Sequence, residues 1–148
     1  MILDAQNLFS DAQAVTAAAG STNILDLGPL QGTVRDIGVG KSIYLFVLVD
    51  TAFTDAGSDS TLTVTVETDA DVAFGSPTLA VQTVGTFPAL SAIGAKLAVK
   101  LQPFAITERY MRVFYTPNNG NLTTGAVTAF LALGIDAYRA YADNITIS

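Results

Sequence analysis

Thr61-Leu62-Thr63-Val64-Thr65-Val66-Glu67 alternates polar and apolar side chains at every step. A period of two puts Leu62, Val64 and Val66 on one face of an extended chain and the threonines with Glu67 on the other. This predicts a strand with one buried and one wet face. Ala95, Leu97, Val99 and Leu101 alternate in the same way with Lys96, Lys100 and Gln102. Ile43 to Val49 is apolar at every position and reads as a central strand covered on both sides, one of them by a neighbouring subunit. Arg109 to Tyr115 is rich in aromatic and β-branched residues, and Gly125 to Leu133 is another apolar run; both predict strands. Weaker strand signals fall at Ala14–Ala18, Asn23–Leu27 and Leu79–Val84.

Turn chemistry separates these runs. Gly28-Pro29, Gly38-Val39-Gly40, Asp55 to Asp59, Gly75-Ser76-Pro77 and Pro117 to Asn121 all carry residues that tolerate positive φ or fix their own. About eight short strands at this spacing predict an all-β protein, a jelly-roll-like antiparallel β-sandwich, and not a βαβ fold. Helix is expected only as one or two turns within Asp4–Ala14 and a short piece over Pro88–Gly94. The 148 residues fit one domain, 1–148, with 1–14 and 134–148 as candidate extended arms. The tail holds Tyr138, Tyr141, Ile145 and Ile147 in a polar setting and reads either as an extra strand or as an arm reaching a partner.

Hydrophobic residues make up 50% of the chain and charged residues 14%, against a usual charged share of about 25%. So little charge suggests that part of the surface meets another protein. The net charge of −6 and the absence of a Lys/Arg cluster argue against nucleic-acid binding. Without cysteine there are no disulfides or thiolate metal sites. No basic segment followed by an apolar run opens the chain, so no secretory signal is expected. The longest apolar run is far shorter than the roughly 20 residues of a membrane helix, and no membrane partner is expected.

Chemistry-bearing patterns are few. Gly40-Lys41-Ser42 has the ending of a phosphate-binding loop, and Val47-Leu48-Val49-Asp50 has the form of a magnesium-holding strand. The full motif needs a glycine where Arg35 stands and a helix after Ser42, whereas a strand-forming run follows. With no histidine or cysteine, the usual base and nucleophile of acyl transfer are missing. Lys41 and Ser42, adjacent on an extended chain, point apart. Asp55, Asp59, Glu67, Asp69 and Asp71 could offer oxygens to calcium but lack the EF-hand order, and acidic loop tips are the commoner explanation. Paired carboxylates could also serve glycoside hydrolysis, but no Trp exists to form a sugar platform. The expectation is therefore a protein that is not an enzyme and has no cofactor and no metal.

Several stretches, in order, resemble the capsid cement (decoration) proteins of short-tailed bacteriophages. They are Met1 to Gln13, Thr22-Asn23-Ile24-Leu25-Asp26-Leu27-Gly28, Phe74-Gly75-Ser76-Pro77 with Leu79-Ala80, Glu108 to Thr116, and Gly125 to Phe130. The resemblance thins after Gly134. It implies a virion protein on the outer surface of the capsid, clamping the major capsid protein lattice and carrying no catalytic residues. Under that reading the partners are the major capsid protein and further copies of the chain, as a dimer first and a trimer second. The expected contact residues are Leu8 and Phe9 in the N-terminal segment, Tyr110, Phe114 and Tyr115 on the aromatic strand, and Tyr138 and Tyr141 in the tail. The alternative is a carbohydrate- or receptor-binding sandwich module of a phage particle.

Overall fold

The computed structural model describes residues 5–28, 37, 40–75 and 78–133. Nine strands are present among them: β1 (Leu8–Ala14), β2 (Ala19–Gly20), β3 (Leu25–Asp26), β4 (Tyr44–Thr54), β5 (Thr61–Asp69), β6 (Leu79–Phe87), β7 (Lys96–Lys100), β8 (Tyr110–Asn118) and β9 (Thr124–Ala132). They form two sheets in which every pairing is antiparallel. The first sheet has the order β1-β9-β4-β7; the second has β2-β8-β5-β6, with β3 also on β8. Only β5 and β6 are consecutive neighbours in one sheet; the other long connections cross between sheets, which makes the sandwich jelly-roll-like.

The deciding stretch behaves as its period requires. Along β5, Leu62, Val64 and Val66 are fully buried or nearly so, while Thr61, Thr63, Thr65 and Glu67 are half-buried on the other face. Opposite them in register, Val113 and Tyr115 of β8 face inward, while Arg112, Phe114 and Thr116 face outward. From the first sheet, Leu45, Val47 and Val49 of β4 and Val127 and Ala129 of β9 close the same core. At one end Phe53 meets Phe87 edge-on, with ring centroids 5.7 Å apart, joining β4 to β6 across the sandwich.

One polar link crosses this core. The Tyr115 hydroxyl lies 2.7 Å from Ser10 Oγ, which donates to Gln13 Oε1 at 2.7 Å. Burial pushes the Tyr115 phenol well above its ordinary pKa, overcoming the opposing effect of the Ser10 hydrogen bond. Gln13 also accepts from the amide and hydroxyl of Thr22 and donates to the Gly20 carbonyl, tying β1 to β2. These bonds satisfy groups that would be costly to bury alone.

Four local expectations are corrected. Instead of helical turns over Asp4–Ala14, a 3₁₀ turn at Ala5–Asn7 leads straight into strand β1. That strand pairs with β9, so Leu8–Ala14 is part of a sheet and not an arm. Pro88–Gly94 contains turns and no helix, and Ala14–Ala18 has no strand beyond Ala14. The tail 134–148 lies outside the described residues.

The acidic loop between β4 and β5 is held by its own carboxylate. Asp55 Oδ2 accepts from the amides of Gly57, Asp59 and Ser60 at 3.1–3.3 Å, and Ser58 takes a positive φ of 58°. Partial burial works to raise the Asp55 pKa, but the hydrogen bonds together hold it below its ordinary 3.8. An ionised Asp55 therefore contributes stability above pH 3.8 that is lost as pH falls through its depressed folded pKa. Asp55→Ala should be less stable than the parent at neutral pH. In urea titrations the gap should narrow steadily from pH 5 towards pH 2, and a gap independent of pH would contradict this role.

Candidate interaction surface

The sandwich presents two broad outer faces. That of the second sheet carries Thr61, Thr63 and Thr65 of β5, Arg112, Phe114, Thr116 and Asn118 of β8, and Thr83 and Thr86 of β6. The hydroxyls satisfy one another: Thr63 and Thr86 are 3.0 Å apart, and the Asn118 side-chain amide donates to Thr63 at 2.9 Å. Arg112 Nε and Nη2 lie 2.9 and 2.8 Å from Glu67 Oε2. The same guanidinium is 4.0 Å from the ring centre of Phe74 and 5.0 Å from that of Phe114. Arg109 grips both oxygens of Asp26 at 2.8 Å, which raises its pKa further and fastens β3 to β8. This face is therefore rich in threonine and has its arginines matched to acids.

The outer face of the first sheet is apolar at its centre and carries Lys96 and Lys100 of β7 at one edge. Phe46 of β4 and Phe130 of β9 stand opposite each other in register and stack, with centroids 5.6 Å apart and planes at 10°. Leu8 pairs with Phe130 from one side and Ala98 with Phe46 from the other. Farther along, Thr128 donates to Asp50 Oδ2 at 2.6 Å and accepts from the Ala12 amide at 2.9 Å.

The expected contact residues are thus divided. Leu8 is half-buried at the edge of the first sheet, whereas Phe9 is 2% exposed and belongs to the core. Tyr110 and Phe114 are half-buried at positions that face outward on the second sheet, while their neighbour Tyr115 is fully buried and faces inward. Tyr138 and Tyr141 lie outside the described residues. Sequence reasoning missed the Phe46–Phe130 stack, although the doubly apolar Ile43–Val49 run was its signal.

The pattern at Gly40-Lys41-Ser42 leads into strand β4 and not a helix, so no helix N-terminus is there to cradle phosphate. Among the described residues no group of three acidic, histidine or cysteine side chains is placed to hold a metal ion. No helix among them is long and apolar enough to cross a membrane. A groove of about 390 Å³ runs between Ala5–Phe9 and Thr22–Leu25. A shallower one of about 600 Å³ lies beside Phe104, which is 74% exposed.

The architecture is that of an antiparallel β-sandwich with two broad faces. The Bbp16 family model matches residues 9–131, and the chain belongs to the Bbp16 family, whose name is of a phage type. No curated protein matches the chain. Among solved structures it is similar to a latent aurone synthase (polyphenol oxidase) from natural source, at 14% identity and a TM-score of 0.46, over 84% of this chain and 26% of that one. A recombinantly expressed latent aurone synthase gives 14% identity and a TM-score of 0.45, over 86% of this chain and 26% of the other. The chain thus spans about a quarter of the length of these structures, and the likeness does not bear on chemistry.

Proposed function

We propose that the chain is a structural virion protein, a capsid cement subunit that binds the outer face of the major capsid protein lattice and performs no catalysis. The observation that carries this reading is membership of the phage-type Bbp16 family over residues 9–131. The ordered resemblance of five segments to cement proteins of short-tailed phages supports it. The contact surface we assign is the outer face of the second sheet. Its arginines are already matched to acids and its hydroxyls largely to one another, so covering it strands little charge, and the buried centre of an interface is depleted of charge. Many copies on a lattice, as dimers first, gain strength from multivalency beyond that of one contact.

Binding of the purified chain to phage heads assembled without it tests this reading. Saturable binding at a fixed ratio to the capsid protein is expected. Thr83→Arg and Tyr110→Ala, on the assigned face, should each weaken it by about tenfold, or 1.4 kcal/mol. Heads that take up none of the folded chain would overturn the function. Binding indifferent to both variants would overturn the face.

A further inference from the structure

One side of the sandwich differs from the rest in both charge and exposure. Residues 72–107 hold Lys96 and Lys100 and no acidic residue, while all 13 acidic residues of the chain lie outside this stretch. It supplies β6, the 88–95 loop and β7. Among the described strands β7 ends the first sheet and β6 ends the second, and the two adjoin: a β-carbon on Gly85 would lie 3.1 Å from Leu97. Of the seven large apolar residues that stand exposed among the described residues, five belong to this stretch: Val72, Leu79, Leu90, Ile93 and Phe104. Carboxylates on adjoining elements are engaged, Glu67 by Arg112, Asp69 by the Thr78 hydroxyl and Asp71 by the Ala73 amide.

Two features stand at opposite ends of this edge. At one end the 88–95 loop is a preformed apolar knob. Its backbone is tied to β4, with the Phe53 amide donating to the Ser91 carbonyl and the Gly94 amide to the Val49 carbonyl, each at 2.9 Å. Ser91 Oγ donates to the Pro88 carbonyl at 2.7 Å. Leu90 takes a positive φ of 57° and is exposed, as is Ile93 at 71%. At the other end Phe104 borders the groove of about 600 Å³, together with Val99, Lys100 and Pro103. Gln82 fixes that end, donating to the Lys100 carbonyl at 2.9 Å and accepting from the Gln102 amide at 3.1 Å. The backbone edge itself is a poor template for a further strand. Two register shifts interrupt the pairing of β6, and Gln82 already occupies backbone groups at the end of β7. Recognition on this side therefore falls to side chains.

We infer that the chain self-associates as a two-fold dimer through the β6–β7 edge, with Leu90 and Ile93 of each copy seated in the groove beside Phe104 of the other. An antiparallel two-fold contact turns the two ends of one edge onto each other, so knob and groove meet twice. Charge selects the same side. A chain of net charge −6 repels its own copy, and this edge is the stretch without carboxylates of its own. The acidic 55–59 loop follows Phe53 at the knob end, and Lys100 borders the groove, so the two-fold brings acid towards base. This goes beyond the proposed function, which names the face turned to the lattice and not where copies meet, and it holds whether or not the chain binds capsids. A two-fold axis normal to the sheets keeps both outer faces of the second sheet on one side of the dimer, where two contacts to one lattice add in avidity.

The test uses the purified full chain with no capsid present. Sedimentation equilibrium should show monomers in exchange with dimers. Ile93→Asp and Phe104→Asp, both at exposed positions and checked for folding by circular dichroism, should each raise the dimer Kd by about tenfold or more. The chain has no cysteine, so introduced thiols are clean reporters. Ile93→Cys and Phe104→Cys proteins are mixed and treated with a short bismaleimide, and links between the two variants should outnumber links within either. A monomer at every concentration would overturn the proposal in favour of an external partner for this edge. A dimer indifferent to both aspartates, or links chiefly within one variant, would move the contact elsewhere. Species larger than the dimer would replace two-fold closure with an open head-to-tail chain.

Discussion

Phe53→Ala should lose about 3–5 kcal/mol of stability, a large part of the roughly 5–15 kcal/mol that holds a typical domain together. Phe53 is 1% exposed, sits edge-on to Phe87, and closes one end of the sandwich. Gly125 makes room for it: a β-carbon there would lie 2.8 Å from Phe53 Cδ1 and 3.4 Å from Leu122 Cδ1. The ring cannot swing aside, because Phe87 and the Leu122 side chain fill the space around it. Gly125 is also fixed by its backbone, since its carbonyl accepts from Val15 at 3.0 Å. Gly125→Ala should therefore cost about 1–3 kcal/mol by overpacking. In a Phe53→Leu background, where the offending ring atoms are gone, most of that cost should vanish. Urea denaturation of the four proteins closes the cycle, with a shifted midpoint and an unchanged slope marking a true stability effect. Additive losses would mean that Gly125 serves something other than the ring.

The strands that frame this corner were legible wherever alternation was regular. β5, β7 and β8 lie within a few residues of their expected places because each keeps a strict period of two between clear turns. β1 was hidden for a physical reason. Its register shifts between Leu8 and Ser10 and again before Gln13, and Ala12 takes a positive φ of 45°. Those bulges put Phe9 and Ser10 in the interior together, so the alternation that announces a strand is absent. The Ala and Gln content then imitates a helical turn. On β8 the period itself separates Phe114 from Tyr115, and grouping them as one contact patch ignored it; only the outward half of that strand is available to a partner. The Phe74–Arg112–Glu67 arrangement was not legible. It joins residues 45 apart in sequence to a ring on a loop, and no local pattern encodes such a meeting.

That arrangement leads to the second large effect. Arg112→Ala should cost about 2 kcal/mol, below the 3–5 typical of a fully buried pair, because the two side chains keep 19% and 15% exposure. The loss comes from two sources. Glu67 is left without its guanidinium in a half-dry position, and Phe74 and Phe114 lose the cation between them, a contact worth roughly 0.5–2 kcal/mol. Arg112→Lys should recover only part of this, since an ammonium can pair with Glu67 but cannot lie flat between two rings. Gly20 supplies a control that separates this cluster from generic loss of packing. A β-carbon at Gly20 would come within 3.1 Å of Arg112 Cδ and Nη1, so Gly20→Val should be harmful while Arg112 is present and far milder once Arg112 is alanine. A double-mutant cycle measures that coupling directly. If Gly20→Val costs the same in both backgrounds, β2 is held by its ladder alone and the arginine is ornament. If the coupling appears, Arg112 is what binds β2, β5, β8 and the loop at Phe74 into one rigid face. Such a face would meet a lattice without first having to be ordered, a cost that otherwise reduces affinity.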